Sequence, residues 1–399
     1  MANRTARLMV LGLSLFGSLV LFRSTHLWGQ RARFTSPTGQ HKLHRLKVGL
    51  SISKINDPNS RDLVGPHSRG DAVVRAEILL GRLKFSPGEI NETYNENLGN
   101  AVKAFQSASG LPVSGTVDSA TWTILNERQP SSSTSGGGDQ ESQSEGQANG
   151  RPISQSQAAG SSPARVIIPY VISIEDVAGP FTKIPRVKGR GARERLMLRE
   201  GKLKHLNYES PLELLAEKFH SSPDLLVKLN PHKIFSKAGV EIQVPDVENS
   251  PPTDAASIVV DASTRTVTAL SGDGKVLASY PATIGSAHDP LPIGTWKIVA
   301  LNWYPHFKFN PNLFWDAEDK KPRAVLPAGP NNPVGIVWIG LSKEHYGIHG
   351  TPQPSKIGIT ESHGCIRLTN WDAEELGKMV HPGTPVILRG PAPSTESKN

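Results

Sequence analysis

From residue 128 to 163 the chain has almost nothing with which to build a core. The run SSSTSGGGDQESQSEGQANG in that stretch is polar, rich in Gly and Ser, and free of aromatics. Such a segment cannot bury enough apolar surface to offset the entropy lost on ordering, so it reads as a disordered linker. It divides the 399 residues into parts that must fold from their own sequences. It is expected to tether the first part flexibly and to raise the local concentration of the next at a shared polymer. The length allows two or three domains. Hydrophobic residues make up only 37%, alongside 37 Gly and 32 Pro, a balance that suits β-rich units joined by linkers.

The net charge of +8 favours anionic partners: nucleic acid, membrane surfaces or cell-wall polymers. No RNA- or DNA-binding motif accompanies the charge, so nucleic acid is set aside. Arg4 and Arg7 precede an apolar run from Leu8 to Phe22. The run is short for a membrane span and fits the central region of an export signal. Residues 1–23 therefore read as a signal peptide or a retained signal anchor, with a buried helix as the plainer alternative. No clean A-x-A site follows, and Arg23, Arg31 and Arg33 blur the orientation signal. The expected location is the periplasm or cell envelope, with membrane contact only through residues 8–22. Residues 24–70, basic and without sustained periodicity, read as a further linker.

Residues 71–127 form a first unit. Val73, Val74, Ile78, Leu79 and Leu80 share one helical face. Leu98, Val102 and Phe105 suggest a second helix. After the turn-rich GLPVSGTVD, Ser119 to Leu125 make a short third. Residues 164–248 form a middle unit that opens on the strand-like RVIIPYVISI and carries a basic insert from Lys183 to Lys204. Ser210-Pro211 and Ser222-Pro223 then open two helices, and Ala238 to Pro245 close the unit as a strand. In residues 254–390, Ser257–Leu270 read as two strands about a polar turn. Further strands are expected at Val276–Thr283, Gly294–Leu301, Gly335–Leu341 and Val386–Leu388. Only Asp372–Val380 reads as helix there, with Asn370 as its N-cap. The fold class is thus multidomain: a mainly β domain with one helix, preceded by a small three-helix domain and a small α+β unit. Residues 391–399 are a tail.

Cys365 is the single cysteine and lies in YGIHGTPQPSKIGITESHGCIRLTN, residues 346–370. A lone thiol in an exported chain cannot form an intramolecular bridge. It can be a small buried hydrophobe, but its neighbours are His363, Gly364 and Arg367 rather than an apolar run. A thiol becomes a nucleophile when a base lies nearby and backbone N–H groups face the developing oxyanion. Gly364 frees the backbone to turn beside it. No Asp or Asn is obviously placed as a third member of a triad, and the Gly350 carbonyl is a candidate to fix the tautomer of His349.

Ile348-His-Gly-Thr351 followed by Ser362-His-Gly-Cys-Ile-Arg367 resembles the L,D-transpeptidase (YkuD-like) catalytic domain, as does Pro292-Ile-Gly-Thr-Trp-Lys-Ile298. The likeness spans most of 257–389 and implies a β-sandwich or barrel. In that family a cysteine attacks the bond after the L-centre of meso-diaminopimelate in a tetrapeptide stem. D-Ala leaves, and an amine acceptor resolves the acyl-enzyme. Carried over, the resemblance implies Cys365 as nucleophile and His349 as base. It puts the N–H groups of His363, Gly364 and Cys365 at the oxyanion and leaves Ser362 and Arg367 in support. Arg367 would hold the loop or a substrate carboxylate. The family also includes carboxypeptidases and enzymes that attach proteins to the wall. AVKAFQSASGLPVSGTVDSATWTIL resembles a peptidoglycan-binding domain, although Asn91–Tyr94 replace that family's DG turn. The second half of the middle unit resembles a degenerate LysM module, which binds N-acetylglucosamine-containing glycans; a purely structural spacer is the alternative.

Peptidoglycan stem peptides and glycan are therefore the expected partners, with no cofactor. A zinc site of His345, His349, His363 and Cys365 is the competing chemistry. Gly347 and Gly350 disfavour the helix that the His345/His349 spacing would need. A wall-binding scaffold with an inert catalytic domain is the alternative of another class. His345 and His306 read as ordinary surface or packing residues. Asn302–Pro333, with Trp303, Tyr304, Phe307, Phe309, Phe314 and Trp315, is too irregular for two simple strands. It reads as a lid or wall beside the cysteine, with ordinary packing of aromatics as the alternative.

Overall fold

A computed structural model describes residues 49–129, 165–286 and 288–390. The apolar run at 8–22, most of the 128–163 linker and the tail lie outside the described residues. Among the described residues no helix is long and apolar enough to cross a membrane.

The first unit packs α1 (Ile52–Ile55), α2 (Asp71–Arg82), α3 (Glu96–Ala108) and α4 (Ser119–Glu127). The side chains of Asn95 and Asp118 accept the Leu98 and Thr121 amides, which starts α3 and α4. Phe105, Trp122, Leu98 and Ile78 are fully buried. Truncating either aromatic to Ala would cost about 3–5 kcal/mol. Gln106 ties down the turn that follows, donating to Thr116 O and accepting from Ser114 N and Gly115 N. The linker expected over 24–70 ends earlier than its sequence suggested. Ile55 and Val64 are buried in this core, and Trp122 Nε1 donates to Asp62 O at 2.8 Å. One short helical turn and two isolated bridges, Val64 with Val117 and Arg69 with Thr93, leave no periodicity to read.

The middle unit runs β1 (Ile167–Val171), α5 (Ile174–Ala178), α6 (Ala192–Glu200), α7 (Pro211–Lys218), α8 (Pro223–Leu229) and β2 (Glu241–Pro245). β1 and β2 pair antiparallel, Ile167 opposite Pro245. Ser210 and Ser222 cap α7 and α8 with Pro in the first turn of each. The basic insert holds α6, a helix its charged sequence hid.

The third unit contains β3 (Ser257–Asp261), β4 (Thr266–Leu270), β5 (Val276–Pro281), β6 (Gly294–Trp303), β7 (Phe307–Phe309), β8 (Ala324–Leu326), β9 (Val337–Leu341), β10 (Gly347–His349), β11 (Ile366–Arg367), α9 (Asn370–Met379) and β12 (Pro385–Arg389). Eight strands form one sheet in the order β11-β10-β9-β6-β12-β3-β4-β5. The sheet curls, because Thr283, just beyond β5, exchanges backbone hydrogen bonds with Arg367 of β11. Ile258, Val260, Val267, Ile339, Ile348, Ile366 and Leu376 fill its core. β7 and β8 form a separate two-stranded ribbon within 302–333. The N-cap of α9 is Thr369, which accepts from Asp372 N at 3.1 Å, and not Asn370. Asn370 instead donates to Glu217 of α7 at 2.8 Å and to Pro330 O at 3.1 Å.

The first unit is docked, contrary to the expectation of a freely tethered module. Arg82 pairs with Asp246 and Lys84 with Glu375. Ser86 N donates to Ser279 O of β5, and Ile90 N to His220 O. The His220 ring stacks on Trp371 of α9 at 5.0 Å. Asp372 accepts a hydrogen bond from the buried Ser86 hydroxyl at 3.1 Å.

Candidate active site

β10 and β11 run parallel, with Ile348 opposite Ile366 and His349 opposite Arg367. Ile348 and Ile366 point into the core. By strand alternation His349, Arg367 and Cys365 belong to the other face. Cys365 stands diagonally from His349, a separation that an imidazole can span. The thiol is half-buried. Its Sγ donates to His345 O at 3.8 Å. No hydrogen bond joins it directly to His349 in this arrangement.

His349 is buried and stacks on Trp338, its cross-strand neighbour on β9, at 5.3 Å. Its Nδ1 lies 2.7 Å from Gly350 O, the carbonyl singled out from sequence. That contact makes Nδ1 the protonated nitrogen and leaves Nε2 as the acceptor. Burial, and then the charge of Arg367, pull its pKa down to about 3. Burial pushes the Cys365 thiol up, with Arg367 and the Gly347 amide opposing. Both groups therefore rest neutral near pH 7. Gly350 is required sterically: a Cβ there would lie 2.2 Å from Asn370 Oδ1.

The loop before Cys365 is pinned at both ends. Ser362 N donates to Ile284 O at 3.1 Å, and its hydroxyl donates to Cys365 O at 2.5 Å. Gly364 has φ 101°, a left-handed value open to glycine, and packs against Tyr346. The N–H groups of His363, Gly364 and Cys365 donate to no group among the described residues. His363 Nε2 meets Asp316 Oδ1 at 2.8 Å, and its ring lies edge-on to Phe314 at 5.0 Å. Of the segment 302–333, Phe314 and Trp315 stand against this loop, whereas Asn302 and Trp303 end β6 and Phe307 and Phe309 pack in the ribbon's own core. Across the loop Trp315 stacks on His288 at 4.1 Å.

The four residues weighed for zinc point to separate partners. His345, exposed, faces Glu344 at 3.4 Å, His349 faces Gly350, and His363 faces Asp316. Two contributors had no signal in the sequence. Asp316 looked like one acid on a polar loop, and Arg193 like one cation in a basic run. Hydrogen bonds from Arg193, and then from His363, hold Asp316 well below the usual carboxylate range. Arg367 is half-buried and donates its N–H to Thr283 O at 2.8 Å.

Residues 255–388 match the YkuD family, described as the L,D-transpeptidase catalytic domain, and residues 69–125 match one described as "Putative peptidoglycan binding domain". The "Putative L,D-transpeptidase YkuD" of Bacillus licheniformis is 33% identical over 179 residues, covering 44% of this chain and 92% of its own length. That alignment is longer than the 255–388 match, and the chain ends at 399, so it reaches back into the middle unit. The "Probable L,D-transpeptidase YbiS" of Escherichia coli is 29% identical, covering 44% of this chain and 59% of its own length. Among solved structures, L,D-transpeptidase 3 from Mycobacterium tuberculosis aligns at 20% identity with a TM-score of 0.29, over 38% of this chain and 75% of that one. The chain belongs to the YkuD family of L,D-transpeptidases.

Proposed function

We propose that this chain forms an acyl-enzyme on Cys365 from a peptidoglycan tetrapeptide stem and passes it to an amine acceptor, cross-linking the cell wall. The observation that carries this reading is the β10–β11 pairing. It sets His349 and Cys365 on one sheet face while Gly350 O occupies Nδ1 of the imidazole. Nε2 is then the nitrogen left to take the thiol proton. Because both groups rest neutral, proton transfer accompanies attack. Sγ bonds to the carbonyl carbon after the L-centre of diaminopimelate, and its proton goes to Nε2. The oxyanion faces the N–H groups of His363, Gly364 and Cys365. The C–N bond then breaks, and D-Ala leaves with the proton from Nε2. The acceptor amine attacks the thioester and gives its proton to Nε2. The thiolate departs and recovers that proton. Arg367, on the same face, suits a stem carboxylate.

Water competes with the amine for the thioester, and the 302–333 wall over His363 favours the amine by restricting water. Tetrapeptide donor with a diaminopimelate-bearing acceptor should give a cross-linked dimer, with tripeptide as a minor product by mass. Tripeptide alone, with acceptor in excess, would make it a carboxypeptidase. Absence of any adduct with a carbapenem would favour the inert scaffold.

The export reading rests on Arg4, Arg7 and the run that follows. The 69–125 match supports wall binding by the first unit, and the α7-α8-β2 run, with β2 paired to β1, supports a LysM-like glycan role for the middle one, in which α5 and α6 are inserted after β1. Pull-down of the chain with purified sacculi tests both.

A further inference from the structure

We infer that Arg193, on helix α6 of the middle unit, is a positioning residue of the active site that holds His363 through Asp316. The inference rests on the reading of Cys365 as nucleophile. Arg193 grips Asp316 with both ends of its fork, Nη1 to Oδ1 at 2.6 Å and Nη2 to Oδ2 at 2.7 Å. Oδ1 also meets His363 Nε2 at 2.8 Å. Arg193 lies 5.5 Å over the Phe314 ring, which packs on Phe309 at 5.7 Å and edge-on against the His363 ring. His363 is thus held by a carboxylate and an aromatic, and the same guanidinium orders both. His363 is the residue before Gly364-Cys365, so its placement sets where the three free N–H groups point.

An exposed ion pair usually contributes little. Arg190–Glu318, on the same surface with the Arg190 side chain 89% exposed, is such a pair. Arg193 differs in being bidentate, partly covered and joined to a third group. Its helix is also fastened in place. Glu194 accepts the Glu318 amide at 3.1 Å. Leu206, just beyond α6, is fully buried with Phe309 and Leu326 of the β7–β8 ribbon. The middle unit therefore supplies part of the active-site scaffold, besides any glycan it holds.

The test uses the full-length chain and the saturation kinetics of carbapenem adduct formation, read by intact mass. Arg193→Ala should lower the maximal acylation rate on the order of ten- to a hundredfold with little change in the half-saturating concentration. Arg193→Lys should recover part of the loss, since it keeps the charge and loses the fork. Arg190→Ala should acylate like wild type. In an Asp316→Asn background, Arg193→Ala should add only a small further loss, that of its contact with Phe314. Thermal melts accompany each variant; if Arg193→Ala unfolds, the Lys and Asn backgrounds carry the test. Equal losses in Arg190→Ala and Arg193→Ala, a full further loss in the Asn background, or wild-type rates in Arg193→Ala would each overturn the inference. A wild-type chain that forms no adduct would instead sink the Cys365 reading.

Discussion

The floor and the roof of this site are built by different means. The floor, β10 and β11, is a backbone ladder over buried Ile348 and Ile366, and its geometry follows from the sheet. The roof, 302–333, has one short ribbon of its own and is held by another unit through the side chains of Arg193, Glu194 and Leu206 and two backbone hydrogen bonds of Leu206, to Ala328 O and from Asn331 N. A ladder tolerates the loss of any one side chain. A roof pinned at a few points does not. Chemistry should therefore fail when floor residues lose their functional atoms or the Arg193–Asp316–His363 link is cut, and selectivity should fail when the rest of the roof is loosened.

The largest effect breaks the floor chemically. Cys365→Ala should form no acyl adduct while melting near wild type, and Cys365→Ser should be nearly as inert, because one thiol carries the covalent step. Turnover by either variant would remove the nucleophile. His349→Ala should slow acylation by roughly a hundred- to ten-thousandfold, whereas His345→Ala, which lends only its carbonyl, should change it little. Equal losses would point back to a metal. Loosening the roof comes next. Leu206→Ala should cost about 2–5 kcal/mol of stability and move products from dimer towards tripeptide; an unchanged ratio at lower Tm would deny the roof its role against water.

The smallest effect concerns the seams between units. Glu217 and Asp372 sit there, and burial pushes both up to about 7. Each stays protonated in the fold after it has ionised in the unfolded chain, so their stabilisation is lost as pH rises from about 4 towards 7. His220 and His349 are pulled down to about 3 by burial. They act oppositely, but only below the ordinary histidine value near 6.5. From pH 6 to 8 the carboxyls decide, and Tm should fall. Glu217→Gln with Asp372→Asn should reduce that slope, leaving the part carried by Glu89 and Glu200, which burial also pushes up to about 7. A wild-type Tm that rises over this range would contradict the burial of these groups.

The floor was legible in the sequence because its parts are local. The glycines and the 346–370 motif lie within one stretch, and even the Gly350 carbonyl was within reach, but β10 and β11, three and two residues long, are too short to show alternation and were not read as strands. The ordered segment 49–70 was missed because it adds Ile55 and Val64 to a core whose periodic residues lie elsewhere. Asn370 looked like a cap because it precedes a helix, yet Thr369 does that work and frees Asn370 to reach Glu217. Arg193 and Asp316 were invisible for a different reason. Their meaning comes from a fold-level contact between units, and a charged run carries no pattern that names its partner.

The docking of Lys84–Ser86 against Ser279 has a consequence for handling the protein. Ser86 N and Lys84 O pair with the outward backbone groups of β5, so the first unit occupies the open margin of the curled sheet. A catalytic fragment beginning after residue 250 would present that margin unpaired, a template on which a second copy can add its own strand. Such a fragment should self-associate through its backbone and collect in insoluble form, even with every residue of the 346–370 motif intact.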